Sequence, residues 1–334
     1  MSPSALVTGG AGYIGAHLVR RLQADGWAVT VLDDLSTGRR EVVPPSARFE
    51  LGDVGDGERL ATLLADIRPE AVFHLAAYTS APGSIAEPLR CYRANVEASR
   101  VLIEAALAAP SRPSVVFSST AAIYGAAGAA PLRETAPAAP LNPYGASKLM
   151  TERMLADAHA AHGLPYVALR YFNVAGCGAA LRGVGRAAAP GTLLDVALEA
   201  AQGERRAIPV YGLDHPTPDG SGVRDYIHVE DLADAHLEAL PLARRAAAPR
   251  VLNCGYGAGV SVLELIDEVG RACGRRLARE VEPRRPGDPS ISICDPALML
   301  AHTNWRPVRD SLPVIVADAW SAASALGGSV ESLG

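Results

Sequence analysis

"SALVTGGAGYIGAHL", residues 4–18, joins a short apolar run to a glycine-rich turn and then to a stretch of helical periodicity. Gly10, Gly12 and Gly15 have the G-x-G-x-x-G spacing, and Gly9 adds one more glycine to the turn. The backbone of such a turn can approach a pyrophosphate, which then lies at the positive N-terminus of the next helix. The stretch therefore predicts the first strand, phosphate-binding turn and first helix of a Rossmann-type dinucleotide-binding domain.

Strands and helices alternate along the rest of the first half. Further strands are predicted at 28–33, 48–53, 71–77, 114–119 and 165–171, with helical patterns between them. This alternation predicts an α/β fold with a doubly wound parallel sheet, and the change of composition after about residue 173 predicts a smaller C-terminal α+β domain. The expected boundaries are 1–172 for the dinucleotide-binding domain, joined by about 226–256, with 173–225 and 257–325 as the smaller domain and 326–334 as a loose tail.

The composition argues against several classes of protein. Hydrophobic residues make up 49% of the 334 residues and charged residues 20%, which is typical of a globular protein. A net charge of −5 without a dense basic run argues against a nucleic-acid partner, and no apolar run is long enough to cross a membrane. Five cysteines without a C-x-x-C pair, and no signal peptide, indicate a cytoplasmic location. The eight histidines lack metal-ligand spacing, so no metal site is expected.

Two aspartates end predicted strands near the glycine turn. Asp33 lies 18 residues after Gly15, where a carboxylate can accept hydrogen bonds from the adenosine ribose and repel a 2′-phosphate. This favours NAD over NADP. Asp53 is a candidate for contact with the adenine amino group, although a strand-end cap explains it equally well.

Lys148 is the only lysine in the chain, against thirty arginines, and it lies four residues after Tyr144. On a helix the two side chains share one face, and the ammonium is expected to lower the pKa of the tyrosine toward that of a general base. The lysine can also hold the nicotinamide ribose. An ordinary surface pair at this helical spacing is the alternative.

Three hydroxyl residues end the strand that precedes this helix. Ligands of parallel sheets bind at the carboxyl ends of the strands, so a hydroxyl there can reach both a substrate and Tyr144. Thr120 is the candidate catalytic hydroxyl, and Ser118 and Ser119 are interpreted as mostly structural. Strand-end capping is the simpler alternative for all three.

These motifs, with "VFHLAA", "LRYFNVAG", "GVRDYIHV" and "RRPGD", resemble the extended short-chain dehydrogenase/reductase superfamily and, within it, the UDP-glucose 4-epimerases. The resemblance runs nearly end to end. It implies NAD-dependent epimerisation at C4 of a UDP-hexose through a transient 4-keto sugar, in a homodimer formed by paired helices that include the Tyr144 helix. Ala121 and Ala122 stand where related dehydratases and decarboxylases carry acidic groups, which disfavours those activities. A 4-epimerase of UDP-glucuronate or a UDP-pentose stays open, and so does a non-catalytic NAD sensor.

The resemblance also implies site residues beyond the catalytic Tyr144, Lys148 and Thr120. Cofactor contacts are expected from Gly9, Gly12, Tyr13, Ile14, Gly15, Asp33, Asp53, Val54, Leu75, Ala76, Ala77, Asn95, Ser118, Tyr144, Lys148 and Tyr171. Substrate contacts are expected from Thr120, Tyr144, Asn173, Thr192, Pro209, Tyr211, Arg224, Arg285, Asp288 and Ser292. The two arginines would pair with phosphate oxygens, Asp288 would hold the uridine ribose, and Pro209 to Tyr211 would border the uracil. A surface salt bridge is the alternative for each arginine.

Three positions depart from the pattern that the resemblance implies. Thr79 replaces a common lysine, so a cofactor contact is lost or replaced, and Thr192 stands where some members carry an asparagine. Ser292 occupies a position where a large aromatic residue would exclude N-acetylated sugars. The small serine predicts that UDP-N-acetylglucosamine is accepted as well.

Overall fold

The computed structural model describes residues 2–126, 131–182, 191–285 and 287–327. The strands in these ranges are β1 Ser4–Thr8, β2 Ala28–Asp33, β3 Arg48–Leu51, β4 Ala71–His74, β5 Ser114–Thr120, β6 Tyr166–Tyr171, β7 Asn173–Ala175, β8 Ile208–Tyr211, β9 Val223–His228, β10 Val251–Cys254, β11 Gly259–Ser261, β12 Arg279–Glu282 and β13 Ile291–Ser292. The helices are α1 Tyr13–Ala24, α2 Gly57–Ile67, α3 Ala81–Ala86, α4 Pro88–Tyr92, α5 Ala98–Ala108, α6 Pro143–His162, α7 Leu193–Gln202, α8 Val229–Ala239, α9 Val262–Cys273, α10 Ala297–His302 and α11 Leu312–Gly327.

A seven-stranded parallel sheet forms the larger part of the structure, in the order β10-β6-β5-β4-β1-β2-β3. The predicted doubly wound α/β fold is confirmed. Two strands end earlier than expected, β3 at Leu51 and β4 at His74. After β4 the chain turns out of the sheet following one further backbone hydrogen bond, from Leu75 N–H to Thr8 O at 3.1 Å.

The strand order reverses between β1 and β4. The chain adds β2 and β3 on one side of β1 and then returns to build β4, β5 and β6 on the other side. In such sheets a crevice opens at the reversal point, outside the carboxyl ends of the strands. The glycine turn after β1 and residues 75–77 after β4 therefore face one another at the position where a dinucleotide binds.

Both faces of the sheet are covered by apolar side chains. Leu6 and Val7 are neighbours on β1, yet they belong to clusters on opposite faces, and neither is exposed. The first cluster includes side chains from α1 and α8, the second side chains from α2 and α5. Because a fully buried aliphatic side chain contributes about 1.5–3 kcal/mol, these clusters hold the strand ends rigidly beneath the crevice.

The smaller part of the structure has a separate core between α7, α9 and α11. Its strand β9 pairs with β7, β11 and β13, while β8 pairs with β12. Only part of the segment 226–256, which was expected to belong to the first domain, does so. Its residues 226–228 are the end of β9 and lie in the smaller sheet, whereas α8 packs on α1 and β10 joins the large sheet.

The C-terminal end differs from the expected boundary by two residues. Helix α11 continues to Gly327, so residues 326 and 327 are helical rather than part of a loose tail. The rest of that predicted tail, 328–334, lies outside the described residues. Within the described ranges, none of the helices combines the length and apolar character needed to cross a bilayer.

Candidate active site

The glycine turn between β1 and α1 is shaped for close approach of a backbone or a ligand. Gly9 has φ of +72°, and a Cβ on it would lie 2.6 Å from the backbone nitrogen of Ala76. A Cβ on Gly15 would lie 2.2 Å from Gly9 O. Gly12 is the N-cap of α1, whose first backbone N–H groups have no partner within the helix. These features fit a pyrophosphate at this helix N-terminus.

The first turn of α1 also reaches the other part of the molecule. The Tyr13 hydroxyl donates to Gly176 O at 2.6 Å, and Gly178 N–H donates to His17 Nε2 at 2.9 Å. Ile14 packs against the core cluster of the sheet. Tyr13 and Ile14, both expected cofactor residues, therefore also fix the position of the phosphate turn.

The adenosine end of the crevice contains Asp33, which is 7% exposed. Its carboxylate accepts from Ala11 N–H and Leu35 N–H, both at 2.9 Å. Burial raises the pKa of Asp33, and these two hydrogen bonds oppose that effect. Each oxygen keeps a lone pair that can accept from a ribose hydroxyl.

Asp53 and Val54 follow β3 at the same edge of the sheet. Asp53 is exposed and accepts from Gly55 N–H at 2.8 Å, as expected of a strand-end cap, while Val54 is buried in the core. Leu75, Ala76 and Ala77 are half-buried beside the glycine turn.

The catalytic candidates meet where β5 ends beside α6. Thr120 is the last residue of β5, and its hydroxyl is near enough to the Tyr144 phenol to lower the pKa of that phenol. Lys148 lies one turn further along α6, is 2% exposed, and has its Nζ 4.9 Å from the ring centre of Phe117. The structure thus places a phenol, a hydroxyl and a buried amine at the carboxyl end of the sheet, next to the reversal point.

Burial dominates the electrostatics of this trio. It raises the pKa of Tyr144, and the hydrogen bond from Thr120 opposes that change with a smaller effect. Burial lowers the pKa of Lys148 to about 7. The expectation that the tyrosine pKa falls below its ordinary value is therefore wrong here, because desolvation of the phenolate outweighs the opposing effect of Thr120. The ammonium form of Lys148 favours the phenolate.

Ser118 and Tyr171 lie deeper, on adjacent strands. The Tyr171 hydroxyl forms hydrogen bonds with Ser118 and with His236, and it is 6% exposed. Both residues therefore help to pack the floor of the crevice, and their expected cofactor contacts stay predictions.

Asn95 joins the segment after β4 to the catalytic helix. It lies on a π-helical stretch and is 2% exposed. Its Oδ1 accepts from Tyr78 N–H at 2.7 Å, and its Nδ2 donates to Tyr78 O at 3.1 Å and to Ser147 Oγ at 2.9 Å. With both ends of its amide engaged by protein groups, Asn95 has a structural role, and its cofactor contact is untested.

Several candidate substrate residues converge on strands β9 and β13. Arg224 donates to Asp288 at 2.6 Å, and β13 pairs in parallel with β9 so that Ser292 stands opposite Arg224. The arginine expected to bind phosphate and the aspartate expected to bind ribose are therefore bonded to each other, because their charges are opposite. Ser292 is half-buried beside them.

A second group lies at the end of β8. The Arg285 guanidinium is 3.7 Å from the ring centre of Tyr211, on whose face a planar base could equally stack, and Pro209 is half-buried on the same strand. Asn173 is exposed at the start of β7. Thr192 is instead the N-cap of α7, where its hydroxyl donates to the Asp195 carboxylate at 2.5 Å and accepts from the Asp195 N–H at 3.2 Å.

A buried ion pair behind the catalytic trio was not predicted from the sequence. Glu152 and Arg170 form two hydrogen bonds, of 2.6 and 2.9 Å, and Ser119 donates to Glu152 at 2.5 Å. The pair ties α6 to β5 and β6. Glu152 and Arg170 are 18 residues apart and lie on different elements, so no local spacing predicts their pairing.

Asp225 is a second missed residue, inside the "GVRDYIHV" motif. It is fully buried, and its carboxylate accepts from the N–H groups of Tyr256, Gly257 and Cys294 at 2.9, 2.8 and 3.2 Å. It therefore fixes the chain that follows β10 against the segment that follows Ser292.

Comparison with known proteins adds to this geometry. A sequence model described as the NAD dependent epimerase/dehydratase family matches residues 5–255. The chain belongs to the NAD dependent epimerase/dehydratase family. The matched residues include the glycine turn, the catalytic trio and strand β10. This match confirms the family resemblance inferred from the motifs.

Several known proteins of this family match the chain over nearly all of its length. The UDP-glucose 4-epimerase of Azospirillum brasilense is 46% identical over 334 residues, covering 100% of this chain and 95% of the relative. The structure of a UDP-glucose 4-epimerase from Brucella ovis in complex with NAD has a TM-score of 0.91 at 39% identity, covering 98% of this chain and 99% of that one. A UDP-glucose-4-epimerase structure from Stenotrophomonas maltophila, with bound NAD and formylated UDP-arabinopyranose, has a TM-score of 0.92 at 36% identity, with the same coverage.

Proposed function

We propose that this chain is an NAD-dependent UDP-glucose 4-epimerase, which interconverts UDP-glucose and UDP-galactose through a 4-keto sugar. The observation that carries the proposal is that Thr120, Tyr144 and the buried amine of Lys148 meet at the carboxyl edge of a sheet whose glycine turn fits a pyrophosphate. The full-length similarity to UDP-glucose 4-epimerases supports it independently.

NAD, when bound, supplies a ring that takes up a hydride from the sugar C4 and gives it back. Gly9, Gly12 and Gly15 would hold its pyrophosphate, and Asp33 its adenosine ribose. Lys148 lies on the catalytic helix, where it would hold the nicotinamide ribose.

Tyr144 is the group that moves the proton. Its phenolate form takes the proton from the sugar 4-hydroxyl and becomes the phenol, and both the nearby Thr120 hydroxyl and the Lys148 ammonium favour that phenolate. When the hydride returns to the other face of C4, Tyr144 gives the proton back to the sugar oxygen. No proton or electron is gained or lost over the cycle.

The nucleotide end must stay fixed while the sugar turns between the two hydride transfers. Arg224 and Arg285 would provide cations for the diphosphate, and the pair of Arg224 with Asp288 would open to admit phosphate and ribose oxygens. Tyr211 would then stack on the uracil in place of the Arg285 guanidinium.

Incubation with UDP-galactose, followed by chromatography of the nucleotide sugars, tests the proposal. The same assay with UDP-glucuronate and UDP-arabinose tests the alternative 4-epimerases. Interconversion of UDP-galactose and UDP-glucose is the expected result. A protein that retains NAD yet converts none of these sugars would instead be a non-catalytic NAD-binding protein.

The site also accepts N-acetylated UDP-sugars. Ser292 is small and half-buried opposite Arg224, at a position where an aromatic side chain would be much larger. Ser292→Tyr should lower turnover of UDP-N-acetylgalactosamine by at least about tenfold relative to UDP-galactose, since loss of fit in a pocket typically costs ~1–3 kcal/mol. Ser292→Ala is the control and should retain both activities. Failure of the wild type to bind the acetylated sugar would contradict this assignment.

Two copies associate through the face formed by α3, α4 and α6. Ile85, Leu89 and Met150 are 64%, 80% and 46% exposed on these three helices, which contact one another, and we propose that together they form the interface. Leu89→Glu should convert a dimer to a monomer in analytical ultracentrifugation. Val308→Glu, at a 72% exposed apolar residue elsewhere, is the matched control and should leave the dimer intact. A wild-type monomer at micromolar concentration would refute the association.

The cytoplasmic location stays a prediction. All five cysteines are free thiols in the structure.

A further inference from the structure

The backbone of the proposed base is held by a side chain from another helix. Tyr144 is the second residue of α6, a position where the backbone N–H has no partner within the helix. This N–H donates to Ser84 Oγ at 3.2 Å. Ser84 lies on α3, and its side chain is completely buried.

The Ser84 hydroxyl is already oriented by its own helix. Its O–H donates to Ala81 O at 2.7 Å, so the hydroxyl proton takes part in a hydrogen bond within α3. What remains is an oxygen lone pair, which accepts from the Tyr144 N–H. Because the Ser84 side chain is completely buried, its hydroxyl is shielded from water in both bonds.

The next residue of the same helical turn is tightly packed. A Cβ on Gly145 would lie 2.7 Å from Ala122 O, in the turn that directly follows Thr120. Asn142 caps the turn by accepting from Gly145 N–H at 2.8 Å. The first turn of α6 therefore contacts both the Ser84 hydroxyl and the turn that follows β5, and a shift away from Ser84 would change the Tyr144–Thr120 distance.

We infer that Ser84 is a positioning residue for Tyr144: it fixes the phenol relative to Thr120 by binding the Tyr144 backbone N–H. The inference rests on the proposed function, because it concerns the base of that reaction. Ser84 acts only through Tyr144. A displacement of roughly 1 Å at a catalytic group can lower turnover about a hundredfold, so one such bond is sufficient to affect the rate.

Helix α3 provides a matched control in Ser80, one turn earlier. Ser80 is exposed and is the N-cap of α3, where its Oγ accepts from Gly83 N–H at 3.0 Å. Ser80→Ala therefore removes a serine hydroxyl from the same short helix without touching α6. A general weakening of α3 would affect both variants, whereas loss of the bond to Tyr144 would affect Ser84→Ala alone.

The experiment compares steady-state kinetics of UDP-galactose conversion by full-length wild type, Ser84→Ala and Ser80→Ala, each with bound NAD. Ser84→Ala should lower kcat by about ten- to a hundredfold and leave KM within about twofold, because the phenol moves while the nucleotide anchor stays in place. Ser80→Ala should leave both constants within about twofold. Ser84→Cys, of nearly the same size but with a weak acceptor, should resemble Ser84→Ala in kcat.

A second measurement is independent of catalysis. Hydrogen exchange of the Tyr144 amide, followed by mass spectrometry of a peptide spanning 142–150, should be at least about tenfold faster in the Ser84 variants than in Ser80→Ala. Exchange in the middle of α6 should be unchanged.

Each outcome has one meaning. If the wild type converts no UDP-galactose, the proposed function is refuted. In that case, unchanged hydrogen exchange of the Tyr144 amide in the Ser84 variants refutes the hydrogen bond between Ser84 and Tyr144. An active wild type with unchanged kcat in Ser84→Ala overturns the inference alone. A Ser84→Cys variant that is unfolded at room temperature also overturns it, because Ser84 would then hold the fold rather than the phenol.

Discussion

Replacing Lys148 by methionine should make the folded protein more stable and nearly inactive. The Lys148 side chain is 2% exposed, and burial lowers its pKa from 10.5 to about 7. The folded state therefore binds a proton at this nitrogen less tightly than the unfolded chain does. Methionine has a similar length and carries no charge to desolvate.

The sign and size follow from this difference in pKa. Above pH 10.5 the lysine is neutral in both states, and its charge causes no penalty. As the pH falls, the unfolded chain takes up the proton first, so the penalty grows until it is complete below about pH 7. At ~1.4 kcal/mol per pKa unit, the penalty at pH 7 is roughly 4 kcal/mol. Contact with the Phe117 ring offsets about 1 kcal/mol of it, which leaves an expected gain of about 3 kcal/mol.

Urea unfolding of nucleotide-free protein measures this gain, because NAD would stabilise the folded state of each variant to a different extent. The unfolding free energy of Lys148→Met should exceed that of the wild type at pH 7, and the gap should narrow by roughly 2 kcal/mol by about pH 9. Turnover should fall by at least about a hundredfold, since the phenolate loses its cation.

Arg153→Met is the matched control for this prediction. Arg153 is on the same helix, but its side chain is 80% exposed. Its replacement should change stability by less than about 0.5 kcal/mol, without dependence on pH over the same range. A Lys148→Met protein no more stable than the wild type, or a gap that does not change with pH, would refute the assignment of a desolvated amine.

Three further substitutions test the site. Tyr144→Phe should reduce kcat by about a thousandfold or more with a melting temperature close to that of the wild type; substantial remaining turnover would assign the base to another group. Gly145→Ala places a Cβ 2.7 Å from Ala122 O, so it should lower the unfolding free energy in urea by about 1–3 kcal/mol and also lower kcat. An unchanged unfolding free energy and kcat would show that the backbone shifts to accommodate the methyl group. Glu152→Gln leaves the Arg170 cation buried without its partner and should cost about 3–5 kcal/mol of unfolding free energy; a loss below about 1 kcal/mol would argue against a tightly bonded pair.

The sequence alone was sufficient for the sheet. Its buried parallel strands are short continuous apolar runs, and the glycine spacing after the first strand is specific to a phosphate-binding turn in that context, so both are visible in local sequence. The strands between Ser4 and Tyr171 lie where their patterns predict, and Tyr144 and Lys148 share a helix because their spacing is that of one turn. The ends of β3 at Leu51 and of β4 at His74 were not predicted from the sequence, because the point at which a chain leaves a sheet depends on its neighbours in space.

What the sequence determined about this protein is which chemical groups lie along each strand and helix, because their spacing is local. Only the tertiary structure decided their environment. The pKa of Tyr144 and that of Lys148 are set by how completely other elements cover them, and the bond from Tyr144 to Ser84 joins residues sixty positions apart. Desolvation and long-range hydrogen bonds depend on how the whole chain packs, and that information is spread over many residues rather than written in any one motif.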